Sequence, residues 1–103
     1  MSEQEFTKEA TTNLSFGQAL QAAKNGKKIQ RVGWNGANMY AVIMPGYPDG
    51  IGINAATATA HKLPEGTIVK FRPYWALWTA QQDVASWAPS GSDTLAEDWQ
   101  IID

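Results

Sequence analysis

The chain has 103 residues, 44% of them hydrophobic and 17% charged, which is the length and composition of one globular domain. A formal net charge of -2 argues against nucleic-acid binding by bulk electrostatics, which normally goes with a basic chain. Cysteine is absent, so disulfide frameworks and thiolate metal sites are excluded, and no run of about 18 apolar residues is present to span a membrane.

Residues 1–13, MSEQEFTKEATTN, are polar and aperiodic and read as a flexible arm. They lack the charged-then-apolar order of a secretory signal, so a cytoplasmic protein is the default. Residues 14–103 read as a single α+β domain. Ser15 and Gln18 have capping-box spacing, and Phe16, Ala19, Leu20 and Ala23 fall on one face of a helix that Asn25-Gly26 ends. Ile29 to Val32 and Met39 to Met44 are expected strands, joined through the glycine- and asparagine-rich residues 33–39 as a tight hairpin connection. Pro45 to Gly50 carries turn signals throughout and is expected to be a loop. Asn54 is placed to cap an alanine-rich helical turn, Ala55 to Ala60, although the nearby threonines suit a strand or loop equally. Thr67 to Phe71 alternates, with Val69 and Phe71 on one side and Lys70 and Arg72 on the other, before Pro73 interrupts it. Tyr74 to Thr79 is an aromatic strand, Ala80 to Asp83 a turn, and Val84 to Ala88 its returning partner. A short helix capped by Ser90 or Ser92 and a last strand, Asp98 to Ile102, complete an antiparallel sheet packed by two or three short helices.

Catalytic constellations are scarce. The one histidine, His61, has no second histidine near it, and no H-x-H, H-x-x-x-H or D-x-D spacing marks a metal site. No serine has a partner histidine at a recognisable spacing, and no phosphate-loop motif occurs. Asp93, Glu97 and Asp98 form an acidic group suited either to acid–base chemistry or to capping and a solvated face. What remains is a vocabulary for binding. Five tryptophans are too many for so short a chain to bury fully, so one or two are expected exposed at a pocket or subunit interface. Trp34, Trp75 and Trp78 can stack on a flat ring, and Asn35, Asn38 and Asp93 can read its edge. Arg31, Arg72 and the N–H groups after Ser90 can neutralise phosphates.

The segments Phe16-Gly17-Gln18-Ala19-Leu20, Gly26-Lys27-Lys28 and Arg31-Val32-Gly33-Trp34-Asn35-Gly36 stand in a distinctive order. Trp87-Ala88-Pro89-Ser90, Asp93 and Leu95-Ala96-Glu97-Asp98-Trp99 follow at the far end. In these residues, from about Ser15 to Ile102, the chain resembles the second family of Thoeris anti-defence proteins, encoded largely by bacteriophages. The resemblance implies a non-enzymatic sponge that binds cyclic ADP-ribose isomers made by Thoeris TIR-domain enzymes and sequesters them uncleaved. It implies a homo-oligomer, typically a tetramer, acting in the cytoplasm of the infected bacterial host without a cofactor or metal. In some members of such sponge families it also implies cyclic dinucleotides at a second site. By the same resemblance Trp34 lies against a ligand ring, Asn35 supplies amide hydrogen bonds and Arg31 sits near the pyrophosphate. Ser90 and Asp93 meet phosphate and ribose hydroxyls, while Phe16 is either a pocket wall or core packing. Trp75 and Thr79 of the aromatic strand complete the candidate set, although that strand and the 47–59 stretch depart from the family pattern. A hydrolase using Asp93, Glu97 or Asp98, and a module whose tryptophans grip a partner protein, are the alternatives.

Overall fold

Ser15 starts the first helix as its spacing predicts. Its Oγ accepts the Gln18 N–H at 3.2 Å while Gln18 Oε1 accepts the Ser15 N–H at 2.9 Å, so two orphan donors at the end of helix α1 (Phe16–Lys24) are satisfied reciprocally. The predicted stripe faces inward, with Ala19 and Ala23 buried and Phe16 and Leu20 half-buried. The helix stops at Asn25, and Gly26 takes a φ of +89°, a conformation that glycine adopts without a Cβ clash. The computed structural model describes residues 10–102, and of the predicted arm the first nine residues lie outside them. At the arm's end, the Thr11 carbonyl accepts the Ile101 N–H at 2.9 Å.

The described chain divides into two compact units, one formed by the residues up to Ile43 with those from Trp75 on, the other by Met44–Tyr74. The first holds a five-stranded antiparallel sheet in the order β6-β5-β2-β1-β7. Its strands are β1 (Ile29–Arg31), β2 (Tyr40–Met44), β5 (Tyr74–Trp78), β6 (Val84–Ser86) and β7 (Trp99–Ile101). β1 pairs antiparallel with β2 through Ile29 and Ala41 and with β7 through Ile29–Ile101, Gln30–Gln100 and Arg31–Trp99. Helix α1 packs on β1, on β7 and against the short helix α3 (Gly91–Leu95). The core is Leu14, Ala19, Ala23, Ile29, Ala41 and Trp99, all buried, with Trp34, Trp75, Trp87 and Leu77 packed around it. Trp99 is wholly inaccessible, and a ring of that size removes about 150–250 Å² from water, on the order of 4–6 kcal/mol.

The second unit holds the two-stranded antiparallel sheet β3 (Tyr47–Gly52) and β4 (Ile68–Phe71) with helix α2 (Ala55–His61). Asn54 caps α2 by accepting the Thr57 N–H at 2.9 Å, so the alanine-rich stretch is helical, and Lys62 closes it in the left-handed conformation. The expectation of a loop over Pro45 to Gly50 is corrected here, since Tyr47–Gly52 is strand. Its turn-forming residues are absorbed by a register shift between Tyr47 and Ile51, where Gly50 reaches a φ of +95°, and Pro48 needs no ladder donor in a two-stranded ribbon. The β1–β2 connection also departs from a tight hairpin, because residues 32–39 form a longer loop in which Asn38 has a φ of 63°. The α+β class stands, with three helices among the described residues.

Candidate functional site

The long 32–39 loop is held by charge. Arg31, the last residue of β1, donates Nε to Asp98 Oδ1 and Nη1 to Asp93 Oδ1, both at 2.9 Å. Asp98 uses its other oxygen to accept the Gly33 N–H at 2.8 Å, which fixes the start of the loop. Asp93 also accepts the Trp34 indole N–H at 3.1 Å and, on Oδ2, the Ser90 N–H at 2.9 Å. The Asp93 backbone carbonyl accepts the Trp99 indole N–H at 2.8 Å. One aspartate therefore orients two tryptophans, an arginine and a helix cap. Two segments nearly sixty residues apart in sequence, Arg31–Trp34 and Ser90–Trp99, are joined by it.

Burial alone pushes the Asp93 carboxyl up, but the donors from Ser90, Arg31 and Trp34 outweigh it and hold the group below the usual carboxylate value. The Arg31 hydrogen bond, with the Gly33 N–H, likewise draws Asp98 down against a smaller effect of burial. Asp98 and then Asp93 raise Arg31 further into its charged form. All three groups are ionised at neutral pH, and one cation against two carboxylates leaves the node net negative.

Around the node the aromatic rings meet mostly edge to face. Trp34 lies 5.3 Å from Trp99 and 6.0 Å from Trp87, centroid to centroid, and Trp87 lies 4.9 Å from Trp75 at 87°. Phe16 closes the group at 5.4 Å from Trp99 and 6.3 Å from Trp75. Such contacts add roughly 0.5–1.5 kcal/mol each beyond area burial and set ring angles firmly. None of the five tryptophans is exposed: Trp99 is buried, and Trp34, Trp75, Trp78 and Trp87 are half-buried. This corrects the expectation of one or two exposed indoles, because the rings shield one another in a single cluster or, for Trp78, by stacking on Tyr40 at 6.1 Å.

Of the candidate residues, Arg31, Trp34, Ser90 and Asp93 are brought into direct contact, and Phe16 and Trp75 line the adjoining aromatic cluster. Asn35 is exposed and follows Trp34 directly in the chain. Thr79 stands apart from the node: its hydroxyl donates to Asp83 and accepts the Gln81 N–H, bracing the β5–β6 turn. Asp93, expected to meet ribose hydroxyls, has both oxygens engaged within the chain and is 7% exposed, and in the single chain it braces Arg31, Trp34 and the α3 cap. Arg31, expected at a pyrophosphate, has Nε and Nη1 engaged by carboxylates. Sequence reading placed Asp98 only in an acidic group and left Trp87 out of the site. The register Arg31–Trp99 across β1 and β7 brings Asp98 beside Arg31, a pairing that only the folded sheet reveals. Among the described residues no cluster of three or more His, Cys, Asp or Glu side chains is arranged to hold a metal ion, and no helix is long and apolar enough to cross a membrane.

Fold and site together define a small α+β protein whose distinctive feature is an aromatic platform braced by a double carboxylate–arginine clamp. Residues 14–102 match the Thoeris anti-defense 2-like domain. A curated relative from Bacillus phage SP01, named Thoeris anti-defense 2, is 33% identical over 94 residues, covering 88% of this chain and 97% of the relative. The chain belongs to the Thoeris anti-defense 2-like family.

Proposed function

We propose that this protein is a phage anti-defence sponge. It binds cyclic ADP-ribose isomers, the 1''–3' or 1''–2' glycocyclic signals made by Thoeris TIR enzymes, and removes them from solution without cleaving them. Family membership supports the anti-Thoeris role. The observation that carries the sponge reading is the clamp itself, which fixes Trp34 in one orientation before any ligand arrives. A rigid ring on a rigid platform loses little freedom on association, and base–aromatic stacking contributes on the order of 1–3 kcal/mol per base.

The same clamp argues against the hydrolase alternative. A general base needs a free lone pair and a pKa near neutrality, whereas Asp93 and Asp98 are held below the usual carboxylate value and already accept internal donors. In this reading Trp34 and Asn35 touch the ligand, with Phe16, Trp75, Thr79 and Ser90 as further candidates. Asp93 and Asp98 hold Trp34 and Arg31 in place. Because the node is net negative, a pyrophosphate needs cations from elsewhere, which is the reason to propose a homo-oligomer, a tetramer as in the family, with sites shared between copies. The protein acts in the cytoplasm of the infected host, and cyclic dinucleotides are proposed as ligands of a second site.

Calorimetric titration with each cyclic ADP-ribose isomer tests the reading. Saturable binding is expected for at least one isomer, and Trp34→Ala should weaken it at least about tenfold through loss of stacking. No heat with any isomer, or normal affinity in the variant, contradicts it.

A further inference from the structure

The Arg31 clamp holds only the first half of the 32–39 loop, through Gly33 and Trp34. The second half returns to the sheet at Met39, where a different set of atoms meets it. Ile29 and Ala41 are register partners on the buried side of β1 and β2, so strand alternation turns Gln30 to the opposite face. Gln30 Nε2 donates to the Met39 carbonyl at 2.7 Å. Gln100, the partner of Gln30 across β1 and β7, donates Nε2 to Gln30 Oε1 at 2.6 Å. Both glutamines are half-buried. A side-chain amide has one oxygen and one NH₂ group, so the bond from Gln100 fixes the sense of Gln30, with its oxygen toward β7 and its NH₂ toward the loop.

Met39 carries that order on to the loop tip. Its thioether packs against Gly36, where a Cβ would overlap Sδ and stand 3.1 Å from Met39 Cγ and 3.0 Å from Ala80 Cβ. Ala80 belongs to the β5–β6 turn, which Thr79 braces. The Thr79 hydroxyl accepts the Gln81 N–H at 3.2 Å, and its backbone N–H donates to the Asp83 carbonyl at 2.9 Å. Gly36, Met39 and Ala80 therefore leave no slack at the tip. Asn35 stands exposed between two held neighbours, Trp34 and Gly36.

We propose that Gln30 and Gln100 are positioning residues of the binding site. The relay from Gln100 through Gln30 to Met39 seats the far half of the loop, so Asn35 meets a ligand as a preset hydrogen-bonding group. The inference rests on the reading that this loop touches the ligand. Two apolar side chains would also pair across β1 and β7, but only an amide whose oxygen is already taken presents a donor to the Met39 carbonyl.

The test uses two substitutions at one position. Gln30→Glu keeps the side chain's size and the oxygen that accepts from Gln100, but sets a carboxylate oxygen against the Met39 carbonyl. Gln30→Lys restores a donor there, and Gln100 turns its amide oxygen to accept from the ammonium. The full-length ¹⁵N-labelled protein is followed by backbone relaxation, and each variant is titrated with the cyclic ADP-ribose isomer that the unmodified chain binds. Gln30→Glu should broaden the amides of residues 35–39, leave the Trp34 indole N–H signal unmoved and lower affinity about tenfold. Gln30→Lys should keep those amides sharp and stay within about threefold of the original affinity. Should Gln30→Glu fail to fold, Gln100→Leu leaves Gln30 whole but free to turn, and should show the same broadening at smaller amplitude. A pair with only a structural role would lower the melting temperature in both Gln30 variants alike and leave the loop amides sharp. That outcome, or full affinity in Gln30→Glu, would overturn the proposal. If no isomer binds the unmodified chain, the sponge reading fails by itself, and the loop amides of the variants alone decide this one.

Discussion

Replacing Asp93 by asparagine changes one oxygen to an NH₂ group at the point where four segments of the fold meet. The aspartate side chain accepts three donors, from Arg31, Trp34 and the Ser90 backbone, at 2.9, 3.1 and 2.9 Å. Asparagine has one acceptor oxygen, so either orientation sets its NH₂ against at least one of those donors. Leaving a donor unsatisfied costs about 1–3 kcal/mol, and losing a charge-assisted bond from Arg31 costs a similar amount, partly offset because Arg31 retains Asp98. The expected destabilisation is about 3 kcal/mol, which for a domain of this size lowers the melting temperature by roughly 10–20 °C. Urea denaturation followed by tryptophan fluorescence, at matched protein concentration, measures it directly. A loss below about 1 kcal/mol with an unchanged m-value would refute the placing of Asp93 at the centre of the network.

Acid unfolding provides a second check. Asp93 and Asp98 have folded-state pKa values below their unfolded ones, so their contribution is complete above pH about 4 and is lost as pH falls through the folded values. Asp98→Asn should flatten that loss below pH 4 at a smaller cost than Asp93→Asn at neutral pH, because its side chain is one-third exposed; an unaltered acid profile would contradict the assignment. Ser90→Ala removes the α3 cap, whose Oγ accepts the Asp93 N–H at 3.0 Å, and should cost about 0.5–2 kcal/mol, whereas Ser92→Ala should be neutral; equal melting temperatures for the two would place the cap wrongly. Gly46→Ala should destabilise by about 1–3 kcal/mol, read by the same denaturation, since its Cβ meets backbone that cannot move aside. Trp34→Phe keeps a ring but removes the donor to Asp93, and should lower both stability and ligand affinity.

Much of the local structure was legible because it rests on short-range chemistry. Ser15–Gln18, Asn54 and Ser90 signalled three helix starts, and each side chain caps its helix. The alternation of Val69 and Phe71 against Lys70 predicted which side of β4 is half-buried. β3 was missed because Pro45 to Gly50 contains every turn signal, and only pairing with β4, with a bulge at the shift, makes a strand of it. At the site, Arg31, Trp34, Ser90 and Asp93 were named together, but the hydrogen-bond network that joins them was not legible. That network depends on how many donors converge on one buried carboxylate, and two of the three, from Arg31 and Trp34, lie 62 and 59 positions away in sequence. Asp98 was obscured for the same reason, since an acidic run before a tryptophan looks solvated until β7 sets it beside β1.

The measurement that bears most directly on the central proposal is recovery of the ligand. The purified protein is saturated with a cyclic ADP-ribose isomer, freed of excess, and heated to denature it, and the released material is resolved by chromatography and mass spectrometry. A sponge returns the cyclic molecule intact, in an amount that matches what was bound. Linear ADP-ribose or smaller fragments would contradict sequestration and make the protein an enzyme.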